Sequence, residues 1–286
     1  MGQPASSMKG RVCLVTGGNS GIGKETAVGL ARLGATVIIV SRDRVKGETA
    51  LSEIKRKSES QSVDLMVADL SSMQSVHQLA QEFLAKYPKL HVLVNNAGIF
   101  LPKRMVTVDG LETTFTTNHL GHFLLTNLLL DRIKASAPSR VINITSDAHK
   151  GAEIDFDDLM GEKKFSGFKA YGQSKLANIL FTYELARRLG GTGVTANCLH
   201  PGLVRTGFGK DVVGLMAFVV RVVGPFMMSP EKAARAAVYL ASSPELESVT
   251  GKHFVKGKEE YSSRESFDQT TAERLWQVSA ELTSLS

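Results

Sequence analysis

Cysteine is scarce in this chain, tryptophan occurs once, and no apolar run continues unbroken for long. Each shortage excludes something. Cys13 and Cys198 stand far apart in strand-like stretches, which rules out a disulfide framework and reads as two buried reduced thiols in a reducing compartment. The most apolar stretch, residues 212–228, is interrupted by Gly214, Arg221, Gly224 and Pro225 and falls short of the ~20 apolar residues a membrane-spanning helix needs. Met1 to Gly10 contains no apolar segment of the kind a secretory leader requires. An intracellular location is therefore expected, cytosolic or peripherally attached to a cytosol-facing membrane. Charge of one sign is not concentrated either. The net charge of +6 is spread over scattered Lys and Arg apart from Lys55-Arg56-Lys57, so a solvated surface is expected and no nucleic-acid partner.

With 286 residues, 43% hydrophobic and 22% charged, the chain suits one large α/β domain with a substantial core. Apolar strand-like runs are expected near 12–15, 36–40, 63–67, 90–94, 140–145, 194–198 and 252–255. Helical patterns are expected near 22–33, 45–57, 72–86, 112–135, 168–189 and 230–241. Such alternation implies βαβ units, hence a single-domain, Rossmann-type doubly wound parallel sheet of about seven strands with helices on both faces. The domain is expected to run from 11 to 286 behind a flexible segment, 1–10.

The first strand leads into Thr16-Gly17-Gly18-Asn19-Ser20-Gly21-Ile22-Gly23 and then a helix. Glycines let the backbone approach a pyrophosphate, and the helix start offers free N–H groups and the positive dipole end. Gly17, Asn19, Ser20, Gly21, Ile22 and Gly23 are accordingly candidate dinucleotide contacts. In a doubly wound sheet ligands bind beyond the carboxyl ends of the strands. Polar residues fall at five successive ends: Ser41-Arg42-Asp43, Asp69-Leu70, Asn95-Asn96-Ala97-Gly98, Thr145-Ser146 and His200-Pro201-Gly202. One continuous cleft is expected. A carboxylate after the second strand would repel a ribose 2′-phosphate; Ser41 and Arg42 would instead receive one, so NADP(H) is preferred over NAD(H).

Tyr171 and Lys175 lie four apart in a helical stretch and so share a face. A phenol has a pKa of about 10, and a nearby ammonium is expected to bring it toward the working range of a proton-transfer group. His119 and His122 lack a third partner at metal-site spacing, so packing or capping is expected of them and no metal. His149, near Ser146, is expected at the rim of a loop. Met1-Gly2-Gln3-Pro4-Ala5-Ser6 fits a short acylation pattern that does not assign the modification.

Taken in order, Thr16-Gly17 through Gly23, Asn95-Asn96-Ala97-Gly98, Asn118, Ser146, Tyr171 with Lys175, and Pro201-Gly202 resemble the short-chain dehydrogenase/reductase family over nearly the whole chain. More narrowly, Asn118-His119-Leu120-Gly121-His122-Phe123, Ser174-Lys175-Leu176-Ala177-Asn178, His200-Pro201-Gly202 and Thr271 to Trp276 resemble its NADP-dependent retinol dehydrogenase branch. The resemblance implies a nicotinamide cofactor and a catalytic set of Asn118, Ser146, Tyr171 and Lys175. It implies cofactor contacts from Asp69, Leu70, Asn95, Ala97, Gly98, Tyr171, Lys175, Pro201, Gly202, Val204 and Thr206. Tyr171 would act as acid or base, Ser146 would steady the substrate oxygen, Lys175 would hold the nicotinamide ribose, and Asn118 would position a relay water. It also implies a substrate lid near 203–228, whose apolar character suits lipophilic aldehydes, ketones or alcohols, retinoids foremost. A steroid or other carbonyl reductase, or a catalytically idle dinucleotide-binding sensor, are the alternative readings. Peripheral membrane contact through 212–228 and pairing of copies through helices 112–135 and 168–189 complete the expected partners.

Overall fold

Valine and isoleucine dominate the strands, and the sheet they build is buried on both faces, as an almost wholly parallel sheet must be. The computed structural model describes residues 7–204 and 227–285. The expectations placed on 1–6, Thr206 and most of the 203–228 lid lie outside them, as does most of the 212–228 membrane-contact segment. Strands β1 (Val12–Thr16), β2 (Thr36–Ser41), β3 (Val63–Val67), β4 (Val92–Asn95), β5 (Ser139–Ile144), β6 (Val194–His200), β7 (His253–Val255) and β8 (Lys258–Glu259) form one sheet in the order β3-β2-β1-β4-β5-β6-β7-β8. All neighbours are parallel except β7 and β8. The short antiparallel β8 is an addition to the seven strands expected.

Helices α1 (Gly21–Arg32), α2 (Arg44–Ser58) and α8 (Pro230–Ser242) belong to one side of the sheet. There Leu30, Ile54 and Leu240 join Val15, Ile39 and Val94 in a buried cluster. The other side is covered by α3 (Met73–Lys86), α5 (Gly121–Leu128), α7 (Gly167–Arg188) and α9 (Gln269–Leu282), where Phe83, Phe123, Leu180 and Leu275 join Leu14, Ile38 and Leu93. Alternation along each strand supplies both faces. Cys13 and Cys198 are buried free thiols, and burial pushes the Cys13 pKa up to about 12. No described helix is long and apolar enough to cross a membrane.

Two differences from the expected helices matter for the site. The stretch 112–135 is not one helix. It runs as α4 (Thr113–Phe115), a π-helical turn (Thr116–Leu120), α5 and α6 (Leu130–Ala135). Gly121 lets this segment close on the end of β3, because a methyl group there would stand 2.3 Å from the Leu70 carbonyl oxygen. Helix α9 was not among the expected helices. It is capped by Asp268, which accepts from Thr271 N at 3.1 Å, and it lays Trp276 against Phe123 and Phe181. The faces of α5 and α7 expected to pair with another copy are thus partly covered from within the chain.

Candidate active site

The order of the strands reverses between β1 and β4, and the crevice beyond their carboxyl ends collects the candidate residues. The glycine turn is fixed from both sides. Gly18 N donates to Val40 O at 3.1 Å, and Asn96 Nδ2 donates to Thr16 O at 2.8 Å. Gly17 and Gly21 have φ of 65° and 54°, a conformation side chains resist. A methyl group at Gly17 would meet Ala97 Cα at 2.9 Å, and one at Gly18 would meet Ile39 at 2.6 Å. Ser20 precedes α1 without a side-chain cap, so its hydroxyl leaves the first N–H groups of the helix to the turn. The turn has the form of a phosphate cradle, the role expected of it from the sequence, with Asn19, Ser20, Gly21 and Ile22 at its accessible edge and Gly23 packed beneath.

Around the crevice the candidates separate into those that face it and those that serve the frame. Arg42 is exposed at the end of β2 and makes no ion pair with the described residues; Asp43 pairs with Lys46 and Glu48 with Arg44. Ser41 is buried and donates to Asp43 O at 2.7 Å. Asp69 is half-buried, with Oδ1 accepting from Ser71 N and Oγ at 2.9 and 2.7 Å, while Leu70 is part of the core. Asn95 turns its side chain inward, donating to Asn143 Oδ1 at 2.8 Å and Thr126 Oγ1 at 2.9 Å. Its neighbour Asn96, which the motif contains but the candidate set omits, holds the glycine turn. Pro201, Gly202 and Val204 follow β6, where Val204 bridges to Met228.

Asn118, Ser146, Tyr171 and Lys175 converge. The π-helical turn presents Asn118, whose Oδ1 accepts from Ile99 N at 2.7 Å and whose Nδ2 donates to Ile99 O and Ser174 Oγ, both at 3.0 Å. Such turns recur at functional sites. A methyl group at Gly98 would stand 3.4 Å from both Asn118 Oδ1 and Lys175 Nζ, so the lack of a side chain there keeps a space open. Lys175 is buried and donates to Ile144 O at 3.2 Å. Ser146, at the end of β5, is hydrogen-bonded to Tyr171, whose ring takes an edge contact from Phe100 at 5.9 Å.

The electrostatics differ from the expected tuning. Burial pushes the Tyr171 phenol up to about 12, and the hydrogen bond with Ser146 opposes that rise. The Lys175 ammonium lies 5.6 Å from the centre of the Tyr171 ring and does not outweigh burial. Burial pushes Lys175 itself down to about 8. The pair at neutral pH is therefore a phenol beside a mostly protonated amine.

His149 is not at a rim. It is fully buried, its Nδ1 donates to Ser146 O at 2.6 Å, and its Nε2 accepts from Ser263 N at 3.2 Å. Both ring nitrogens are engaged, which removes it as a general base and makes it a brace for the Ser146 turn. On the other side of that turn, Asp147 meets His200 Nε2 at 3.0 Å. His119 points away from the crevice, toward Ser279 Oγ on α9 at 3.0 Å, and burial pushes it down to about 3.

A family model for short chain dehydrogenases matches residues 11–214. The chain belongs to that family. Retinol dehydrogenase 12 of Mus musculus is 48% identical over 273 residues, 96% of this chain and 86% of the relative. Retinol dehydrogenase 14 of Homo sapiens is 45% identical over 288 residues, 95% and 86%. Among solved structures, an uncharacterised protein from Mycobacterium paratuberculosis superimposes with a TM-score of 0.80 at 35% identity, covering 98% of this chain and 96% of that one. The Pseudomonas aeruginosa RhlG/NADP active-site complex does so with a TM-score of 0.71 at 30% identity, covering 89% and 97%. This short-chain dehydrogenase is an oxidoreductase whose family binds a nicotinamide dinucleotide. The glycine cradle and the open space at Gly98 fit that group.

Proposed function

We propose that this short-chain dehydrogenase interconverts lipophilic aldehydes or ketones and the corresponding alcohols with NADP(H), retinal-like compounds foremost. The convergence of Ser146, Tyr171, Lys175 and Asn118 beside Gly98 carries the reading. When bound, the nicotinamide supplies or accepts a hydride. Tyr171, held as a phenol by burial, donates the proton to the carbonyl oxygen in reduction. Ser146 hydrogen-bonds that oxygen and stabilises its growing charge. Lys175 holds the ribose hydroxyls, and Asn118 orders the hydrogen bonds at the rear of the site. Phe100 and the exposed Phe168, with ring centres 5.1 Å apart, place an apolar rim beside Tyr171 that suits a hydrocarbon substrate. The names of the relatives point the same way. Purified protein assayed with NADPH and NADH against retinal, steroid and aliphatic carbonyls tests the proposal; no turnover on any of them overturns it.

The cofactor preference rests on Arg42, which no described carboxylate claims. Replacing Arg42 by Ala is expected to raise the KM for NADPH about tenfold to a hundredfold, the worth of a charge-assisted bond to phosphate, while the KM for NADH stays put. Equal effects on both coenzymes would remove Arg42 from the 2′-phosphate site.

A pH dependence follows from Lys175. Its amine is charged below about 8 and loses its proton above, because burial has lowered the folded pKa. The kcat/KM for reduction, which reports the free enzyme, is expected to fall about tenfold per unit above pH ~8. Lys175→Arg, charged throughout, should move that limb upward even if the maximum drops. A wild-type profile flat beyond pH ~9 would exclude Lys175 as the group.

A further inference from the structure

His122 does not sit idle in the core. From α5 it reaches the end of β1, with Nε2 2.8 Å from Thr16 Oγ1, while its Nδ1 lies 3.1 Å from the backbone oxygen of Asn118. The neighbours fix the protons. Thr16 Oγ1 already accepts the backbone N–H groups of Asn96 at 2.9 Å and Ala97 at 3.0 Å, so its own hydrogen goes outward to His122 Nε2. The alternative acceptor, Val94 O, is farther at 3.4 Å. Nε2 is then an acceptor, and Nδ1 carries the hydrogen that Asn118 O receives. Burial, which pushes the imidazole down to about 4, keeps this neutral form at ordinary pH.

We infer that His122 is a positioning residue that holds the dinucleotide turn and Asn118 at a fixed separation. On one side Thr16 organises Asn96 and Ala97, and Asn96 in turn holds the carbonyl of Thr16 at the glycine turn. On the other, Asn118 reaches Ile99 and Ser174, and Ser174 donates to Tyr171 O at 2.7 Å. One imidazole with two differently used nitrogens therefore joins the cofactor half of the crevice to the half that carries Tyr171. The π-helical turn makes this possible. It shifts the backbone ladder by one residue, with Gly121 N donating to Thr116 O, and sets Asn118 and His122 in register with Thr16.

This inference rests on the reductase reading above, and the two fail differently. Glutamine places its amide near the position of Nε2, and asparagine near that of Nδ1. His122→Gln thus keeps the contact with Thr16 and loses the one with Asn118; His122→Asn does the reverse; His122→Leu loses both. NADPH affinity is read by fluorescence titration without carbonyl substrate, kcat by steady-state reduction, and folding by melting temperature. His122→Leu is expected to weaken NADPH binding and lower kcat by about tenfold each, as unpaired buried partners require. Gln should restore affinity but not kcat, and Asn kcat but not affinity. Should Leu not fold, the opposed behaviour of Gln and Asn still decides. Variants that lose only melting temperature, or Gln and Asn variants that behave alike, overturn the positioning role. A wild-type protein that neither binds NADPH nor reduces any carbonyl overturns the reductase reading instead.

Discussion

Tyr171→Phe is expected to lower kcat for carbonyl reduction by about 10²–10⁴-fold, the contribution of a placed general acid, while NADPH affinity stays within about threefold. The substitution is clean because most of what holds the ring survives it. The edge contact from Phe100 and the approach of the Lys175 ammonium depend on the ring and not on its hydroxyl. What goes is the phenolic proton and the hydrogen bond with Ser146. The carbonyl oxygen then keeps the Ser146 hydroxyl as a hydrogen-bond donor but has no acid to protonate it. Single-turnover reduction beside a fluorescence titration separates chemistry from binding. Turnover within tenfold of wild type, on the scale of general acid catalysis, would remove Tyr171 from the proton-transfer role.

How much of this was legible in the sequence depends on the range of the interaction. Tyr171 and Lys175 share a helix face by spacing alone, and the β1 turn announces itself through glycine between an apolar strand and a helix. Strands β1, β2, β3 and β6 are short, mostly apolar runs and fall where the pattern puts them. Helix 112–135 reads as continuous because periodicity cannot register a single π-helical turn, although that turn is what presents Asn118. Helix α9 carries a readable sign, Asp268 followed by Ala272, Leu275 and Ser279 at helical spacing, yet its core contacts are with distant segments. Strand β8 is two residues long, too short for any period to show.

Within the site, the adjacent pair Asn95 and Asn96 marks where local reasoning stops. Both lie in one motif, and composition cannot say which side chain is consumed by the frame. Asn95 is the last residue of β4 and points between Asn143 and Thr126, so its amide is consumed inside. Asn96, one residue on, leaves the strand and reaches Thr16 across 80 positions. His149 shows the same limit, because the backbone N–H of Ser263 that occupies its Nε2 comes from 114 residues away. The pKa of Tyr171 is a further case. Spacing places the ammonium near the phenol, but burial depends on everything packed around the pair, and here burial is the larger influence.

Gly23→Ala should be as damaging to cofactor binding as Tyr171→Phe is to chemistry. A single methyl group at Gly23 would stand 2.4 Å from Asn96 Nδ2 and 2.5 Å from the Gly17 carbonyl oxygen. The first of these atoms is the amide that holds the turn, and the second is turn backbone, so neither can step aside without moving the cradle. Overpacking of this kind costs about 1–3 kcal/mol, and most of it should appear as lost affinity, an NADPH Kd raised about 10–100-fold. Asn96→Ala added to Gly23→Ala relieves one collision and leaves the other, so it should not restore binding. Gly191→Ala is the control: its φ of 79° strains a side chain, yet nothing lies within 4 Å of the added methyl. That variant should lose melting temperature and keep its NADPH Kd, whereas Gly23→Ala should lose affinity well beyond what its melting temperature accounts for. A Gly23→Ala protein that binds NADPH like wild type would mean that the turn yields freely at its tightest point, and a turn that yields there is not a built phosphate cradle.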